Sequence, residues 1–307
     1  MLILGALQKV APHATFRKTQ ILNNTTAGHF NGGGILHTMI DLHCHILPGI
    51  DDGAEDKAMA LEMARIAAKH GITTIACTPH IYPGMYENDA QGIRNAISSF
   101  QQILDDEGIS IKLVQGADVH MVPGLVEGIK LDKIPTINGT RYLLLEPPHH
   151  VAPPNMEETV FELMAAGYMP VITHPERLRW VENQFDMFKR LSERGVWMQI
   201  TAGALTGRFG KRPLYWAEKF LTEGMCDIIA TDAHHPTRRP PYLKEAQEAA
   251  AKLVGEDEAR KMVYDRPQAI LDDKDPSSVE RPVTGVANHV VRKIPTGMFE
   301  RFRRFIG

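Results

Sequence analysis

Seven short apolar runs separated by helical segments constrain the fold of this chain most, because six of the seven end in His, Asp or Glu. The runs are 39–42 leading into His43-Cys44-His45, 72–77 into Thr78-Pro79-His80, 111–114 into Gly116-Ala117-Asp118, and 142–145 into Glu146. The others are 169–172 leading into Thr173-His174, 196–200 into Thr201, and 228–230 into Thr231-Asp232-Ala233-His234. Helical spacing of apolar residues marks 54–70, 89–107, 125–130, 156–166, 184–194, 213–222, 242–254 and 257–264, with Gly71, Gly108, Gly167 and Gly195 as stop signals. Repeated strand–helix units make a parallel sheet, open or closed. A Gly-X-Gly-X-X-Gly after the first strand, the mark of a dinucleotide-binding open sheet, is missing. A closed barrel brings all its strand ends to one face. The expectation is therefore an α/β chain, with a distorted (β/α)7 barrel over 39–274.

Residues two apart on an extended strand share a side, so His43 and His45 aim two imidazoles at one point. Asp232-Ala233-His234 repeats that spacing at the last strand. The strand ends supply eight candidate metal ligands: His43, His45, His80, Asp118, Glu146, His174, Asp232 and His234. Eight donors exceed what one ion takes and suit two or three divalent ions, with Glu146 as a natural bridge. Mixed imidazole and carboxylate donors suit manganese, iron or zinc better than calcium. Clustered dications acidify a water and clamp phosphoryl oxygens. Arg177 and Arg239 follow His174 and His234 at short distance and offer planar donors for phosphate oxygens. Asp52, in the Asp51-Asp52-Gly53 loop, and Asp232 are candidates to protonate a leaving group. Metals with arginines favour a phosphate ester over an amide.

Composition removes several alternatives. A net charge of −3 provides no basic track for nucleic acid. No apolar run approaches the length of a membrane span. The three cysteines, Cys44, Cys77 and Cys226, are odd in number and widely spaced, which argues against a disulfide framework and for a reducing, cytoplasmic setting. Thiolate phosphatase chemistry needs an Arg six residues after the Cys, and those positions hold Ile50, Pro83 and Asp232. Cys44 lies at the odd position of His-X-His and is expected to face away from the histidines.

Both ends lack the barrel pattern. Residues 1–38, with Asn-Asn-Thr-Thr and Gly-Gly-Gly, read as a flexible extension, and Met39 is a candidate alternative start. Residues 275–307 read as a tail. Phe299, Phe302 and Phe305, interleaved with Arg301, Arg303 and Arg304, suggest an amphipathic basic helix with weak membrane-surface contact.

Seven blocks in order carry a resemblance from Met39 to about Asp272. They are Asp41-Leu42-His43-Cys44-His45 with Asp51-Asp52-Gly53, Thr78-Pro79-His80, Gly116-Ala117-Asp118, Leu145-Glu146, Thr173-His174-Pro175-Glu176-Arg177, Thr231-Asp232-Ala233-His234 and Arg239-Pro240-Pro241. The chain resembles the polymerase and histidinol phosphatase (PHP) superfamily. Within it, the chain is similar to the manganese-dependent protein-tyrosine phosphatases of bacterial capsule and exopolysaccharide gene clusters. The resemblance implies a PHP-type barrel, a trinuclear site and hydrolysis of phosphotyrosine on a tyrosine autokinase that controls polysaccharide assembly. One position departs: Asp118 stands where these phosphatases usually carry Glu, one methylene longer. The alternative within the superfamily is a small-molecule phosphatase such as histidinol phosphatase.

Overall fold

A computed structural model describes residues 38–282; the expectations placed on 1–37 and 283–307 lie outside the described residues. The order is β1 Met39–Cys44, α1 Lys57–Lys69, β2 Ile72–Cys77, β3 His80–Ile81, α2 Ala90–Asp106, β4 Lys112–Gln115, β5 Asp118–His120, α3 Leu125–Lys130, β6 Tyr142–Glu146 and α4 Met156–Ala165. It continues with β7 Met169–Thr173, α5 Val181–Glu193, β8 Trp197–Thr201, α6 Ala202–Leu205, α7 Lys211–Thr222, β9 Ile228–Ala230, α8 Lys244–Val254, α9 Glu256–Arg260 and α10 Arg266–Leu271.

All seven expected strand positions are occupied, and every ladder is parallel. Two of them are broken in the middle, which is where the barrel is distorted. The second position is β2 then β3, interrupted at Thr78-Pro79, and the third is β4 then β5, interrupted at Gly116-Ala117. Proline has no N–H for a ladder; here the Pro79 carbonyl instead accepts the Asp118 N–H at 3.1 Å. The lower halves form a sheet of order β1-β2-β4 and the upper halves join a second sheet, β3-β5-β6-β7-β8-β9. The ring closes between β9 and β1 through a parallel bridge, Cys44 to Ala233. The Asp232 N–H donates to the His43 carbonyl at 2.7 Å, and the His45 N–H to Ala233 at 2.9 Å.

Helix limits follow local chemistry. The helix expected from 54 starts at Lys57, because the Asp56 side chain caps it by accepting the Met59 N–H at 2.9 Å. Asp89 caps α2 the same way through Gly92. The helix expected at 184–194 begins earlier, at Val181. The one expected at 257–264 is α9 followed by a π-type turn, and the chain then continues as α10, which contains Pro267.

Inward strand positions are apolar below and polar above. On β6 the series is Tyr142, Leu144, Glu146; on β7 it is Met169, Val171, Thr173; on β8 it is Trp197, Gln199, Thr201. The lower members pack with Ile40, Leu42, Ala76, Val114 and Ile228 as one buried cluster, closed at the bottom by Ile137 and Ile270. The alternate residues, such as Leu143, Leu145, Ile172 and Ile200, pack outward against the helices in a second cluster. Period-two alternation thus makes both layers, and the barrel interior changes from hydrocarbon to polar at its C-terminal face.

Candidate metal centre

The polar layer is where the eight predicted donors meet. His43, His45 and Asp118 are fully buried; Glu146, His174, Asp232 and His234 are buried; His80 is half-buried. Among the described residues, donor atoms within 4.8 Å of one another form five overlapping groups. They are His45, Asp52, His80, His234; His43, Asp118, His174; His43, His45, Asp232; His80, Asp118, Glu146; and Glu146, His149, His174. Every sequence-predicted donor appears at least once.

Local folding aims these side chains. The β1 end turns into a loop held by the Ala54 N–H on the His45 carbonyl at 3.1 Å. A Cβ on Gly53 would lie 2.1 Å from that carbonyl oxygen, so only glycine lets the loop fold back there. The loop brings Asp51 to His45, whose Nδ1–H donates to the carboxylate at 2.7 Å. His43 Nδ1–H donates to Gln199 Oε1 at 2.9 Å. Each bond fixes a tautomer and leaves Nε2 facing the centre, the usual arrangement behind a metal-binding imidazole. The two Nε2 atoms stand 3.1 Å apart. His174 and Asp232 reach the centre from left-handed backbone, φ 36° and 50°, which a side chain normally avoids. Strain of this kind collects at functional sites.

The contacts fit shared ions better than direct pairing. Asp118 Oδ2 is buried and has no hydrogen-bond partner among the described residues, yet His43, His80 and His174 nitrogens stand 3.4, 3.6 and 3.8 Å away. Those separations are long for a hydrogen bond and match donors about 2 Å from a common ion. The shorter Asp118 carboxylate therefore still reaches the middle of the cluster.

Electrostatics hold five of the eight donors in ligating forms. Burial pushes Asp232 up, but Arg239, His43 and Arg177 hold it well below the usual carboxylate range. Burial likewise opposes ionisation of Asp118, and His43 and His174 reverse it. Glu146 is pulled down to about 2, against burial and the Asp118 charge, by hydrogen bonds from His120 and His149. Burial and neighbouring His234 lower His45 to about 4, and burial with Arg177 lowers His174 to about 4, so both are neutral imidazoles. His43 goes the other way: Asp118 and Asp232 outweigh its burial and raise it to about 9. A metal ion bound there would require the neutral, deprotonated imidazole.

Arg177 and Arg239 both reach Asp232 Oδ2, Arg239 Nη2 at 2.6 Å. Asp52 is half-exposed, 3.3 Å from His234 and 3.5 Å from His80. Burial would raise its pKa, but the His234 hydrogen bond and nearby histidines hold it low. Its carboxylate completes a donor group with His45, His80 and His234. Cys44 is buried with its Sγ toward the Ala233 carbonyl, away from the centre.

Sequence reasoning left several contributors without a role. Asp51 and Gln199 orient histidines. His149 stands 3.4 Å from Glu146, and His120 at 3.5 Å carries Tyr82 stacked on its ring. The buried Asp41 fills the β1–β9 seam by accepting the Thr231 N–H at 2.9 Å and the Thr231 hydroxyl. The inward alternation of Trp197, Gln199, Thr201 was the available signal for Gln199; nothing in spacing marks His149.

A parallel α/β barrel with clustered His and carboxylate donors on its C-terminal face defines a metal-dependent class of protein. The family described as capsular polysaccharide synthesis, CpsB/CapC, matches residues 39–272, and the chain belongs to it. Tyrosine-protein phosphatase YwqE of Bacillus subtilis is 35% identical over 217 residues, covering 71% of this chain and 85% of YwqE. Tyrosine-protein phosphatase CpsB of Streptococcus pneumoniae is 26% identical over 246 residues, covering 77% of this chain and 99% of CpsB. A solved chain from work on these two proteins, described as unique metal-dependent tyrosine phosphatases, superposes with a TM-score of 0.74 at 32% identity. That match covers 80% of this chain and all of the other.

Proposed function

We propose that this chain is a metal-dependent protein-tyrosine phosphatase of capsule or exopolysaccharide synthesis. The observation that carries the reading is the pair Arg177 and Arg239, converging on Asp232 at the rim of the donor cluster. His43, His45, His80, Asp118, Glu146, His174, Asp232 and His234 would hold two or three divalent ions, with Asp52 and His149 completing two of the groups. The mixed donor set favours manganese, with iron or zinc as substitutes. When bound, such ions supply an acidified water and neutralise charge on a phosphoryl group.

The chain's own residues do the rest. Arg177 and Arg239 bind the non-bridging oxygens of the phosphoryl group, exchanging their contact with Asp232 for phosphate as it arrives. Asp51 and Gln199 keep His45 and His43 in the tautomers that leave Nε2 free. The leaving phenolate is stable enough to need little protonation, which agrees with an ionised Asp52. The partner is a phosphotyrosine protein, for which a bacterial tyrosine kinase of the same pathway is the natural choice. A cytoplasmic location fits three free, buried cysteines. No helix among the described residues is long and apolar enough to cross a membrane.

The test is hydrolysis of a phosphotyrosine peptide with added manganese, beside histidinol phosphate as a small-ester control. Strong preference for the peptide, abolished in His43→Ala and Asp232→Ala, is the expected result. Undiminished turnover in either variant would sink the reading.

A further inference from the structure

Of the seven strand positions among the described residues, the one formed by β8 supplies no metal-type donor at its end, and its loop carries something else. Phe209, in the turn between α6 and α7, lies beneath both arginines: the Arg177 Cζ is 4.9 Å and the Arg239 Cζ 5.8 Å from its ring centroid. One aromatic ring thus meets two cations that also meet on one carboxylate oxygen. Both arginines are largely desolvated, with 18% and 25% of their side chains exposed, the condition in which a cation–π contact is strongest. The ring is itself seated. It packs on α6 so closely that a Cβ on Gly203 would lie 2.9 Å from its edge. The turn below it is tied by the Arg208 N–H on the Gly203 carbonyl at 2.9 Å and the Gly207 N–H on Ala204 at 3.1 Å.

We propose that Phe209 is the positioning residue of the phosphate-binding arginines. This rests on the reading of Arg177 and Arg239 given above. Two long, flexible side chains of like charge must stay together when an incoming phosphoryl group draws them from Asp232. The ring offers a second attachment that phosphate does not contest, so the guanidinium planes keep their orientation as the anion arrives. Preorganisation of this kind lowers the cost of ordering at the moment of binding.

The experiment compares the manganese-loaded wild type with Phe209→Leu, Phe209→Tyr and Gly203→Ala. Inorganic phosphate binding is measured by calorimetry, and KM and kcat are measured on a phosphotyrosine peptide. Leucine keeps apolar bulk but removes the π face. The expected result is about tenfold weaker phosphate binding and a similar rise in KM, with kcat changed less than threefold and an unchanged melting temperature. Tyrosine at 209 should restore both constants to within twofold of wild type. Gly203→Ala, which displaces the ring without altering it, should weaken phosphate binding in the same direction. Phosphate affinity in Phe209→Leu within twofold of wild type overturns the proposal, as does a tyrosine variant as impaired as leucine. Wild-type protein that binds phosphate without hydrolysing the peptide refutes the phosphatase reading alone and leaves the calorimetric series to decide on Phe209. Wild-type protein that binds no phosphate overturns both.

Discussion

β9 carries a buried aspartate at each end, and arginines attend both. Below it, Asp227 is saturated. Arg281 Nε and Nη2 donate to its two carboxylate oxygens at 2.8 and 2.9 Å, the Met198 N–H adds a third bond at 2.9 Å, and Arg266 Nη1 donates to its carbonyl at 3.3 Å. The remaining nitrogens of both arginines are also engaged: Arg281 on the Ser192 and Val196 carbonyls, Arg266 on the Glu280 carbonyl and Glu258. Above β9, Arg177 and Arg239 crowd one oxygen of Asp232 with one nitrogen each, and the buried Arg239 Nε has no partner among the described residues. The same chemical pair closes a barrel at one end and leaves hydrogen-bonding capacity open at the other. Buried polar groups are normally satisfied, so the unsatisfied end is where a ligand belongs.

The sharpest way to break this comparison is to remove each aspartate. Asp232→Asn, or chelation of the wild type, should lower kcat/KM at least about a thousandfold, roughly 4 kcal/mol in barrier, with the far-ultraviolet spectrum retained. Arg281→Ala should instead cost about 3 kcal/mol of stability by leaving Asp227 buried and unpaired, read by denaturant unfolding, while the folded fraction keeps its turnover. Comparable loss of turnover from both substitutions would erase the distinction between the two ends. A smaller effect is expected at the open end from Arg239→Lys, about thirtyfold in kcat/KM, because an ammonium cannot reproduce the planar fork. The smallest is Asp51→Asn, about tenfold in manganese affinity by equilibrium dialysis, since it disturbs only the orientation of His45. A manganese affinity equal to wild type would show that the loop, and not the carboxylate, sets that ring.

Much of the upper end was legible in the sequence, because ligand-type residues at the ends of apolar runs need only the barrel to meet. His43, His45, Asp232 and His234 are read from i, i+2 spacing alone. The breaks at Thr78-Pro79 and Gly116-Ala117 were visible as residues, but their effect, splitting two strands between two sheets, depends on neighbours far along the chain. Phe209 and His149 were invisible for a related reason. Each acts through a loop whose path is set by tertiary contacts, the Gly203 approach in one case and the Arg179 N–H on the His149 carbonyl in the other. The lower end was equally hidden: Arg281 stands 54 residues from Asp227 and falls in a segment that carries no periodic pattern.

The position of Cys44 has a consequence outside catalysis. The residue lies between two histidines of the centre in sequence, but its thiol faces away from them, and burial pushes its pKa well above the usual thiol range; Cys77 and Cys226 are raised by burial as well. A buried, protonated thiol is a poor target for peroxide or alkylating agents. Tyrosine dephosphorylation built on this barrel therefore places no thiolate at the phosphate, and reagents that silence thiolate phosphatases find only three buried thiols among the described residues.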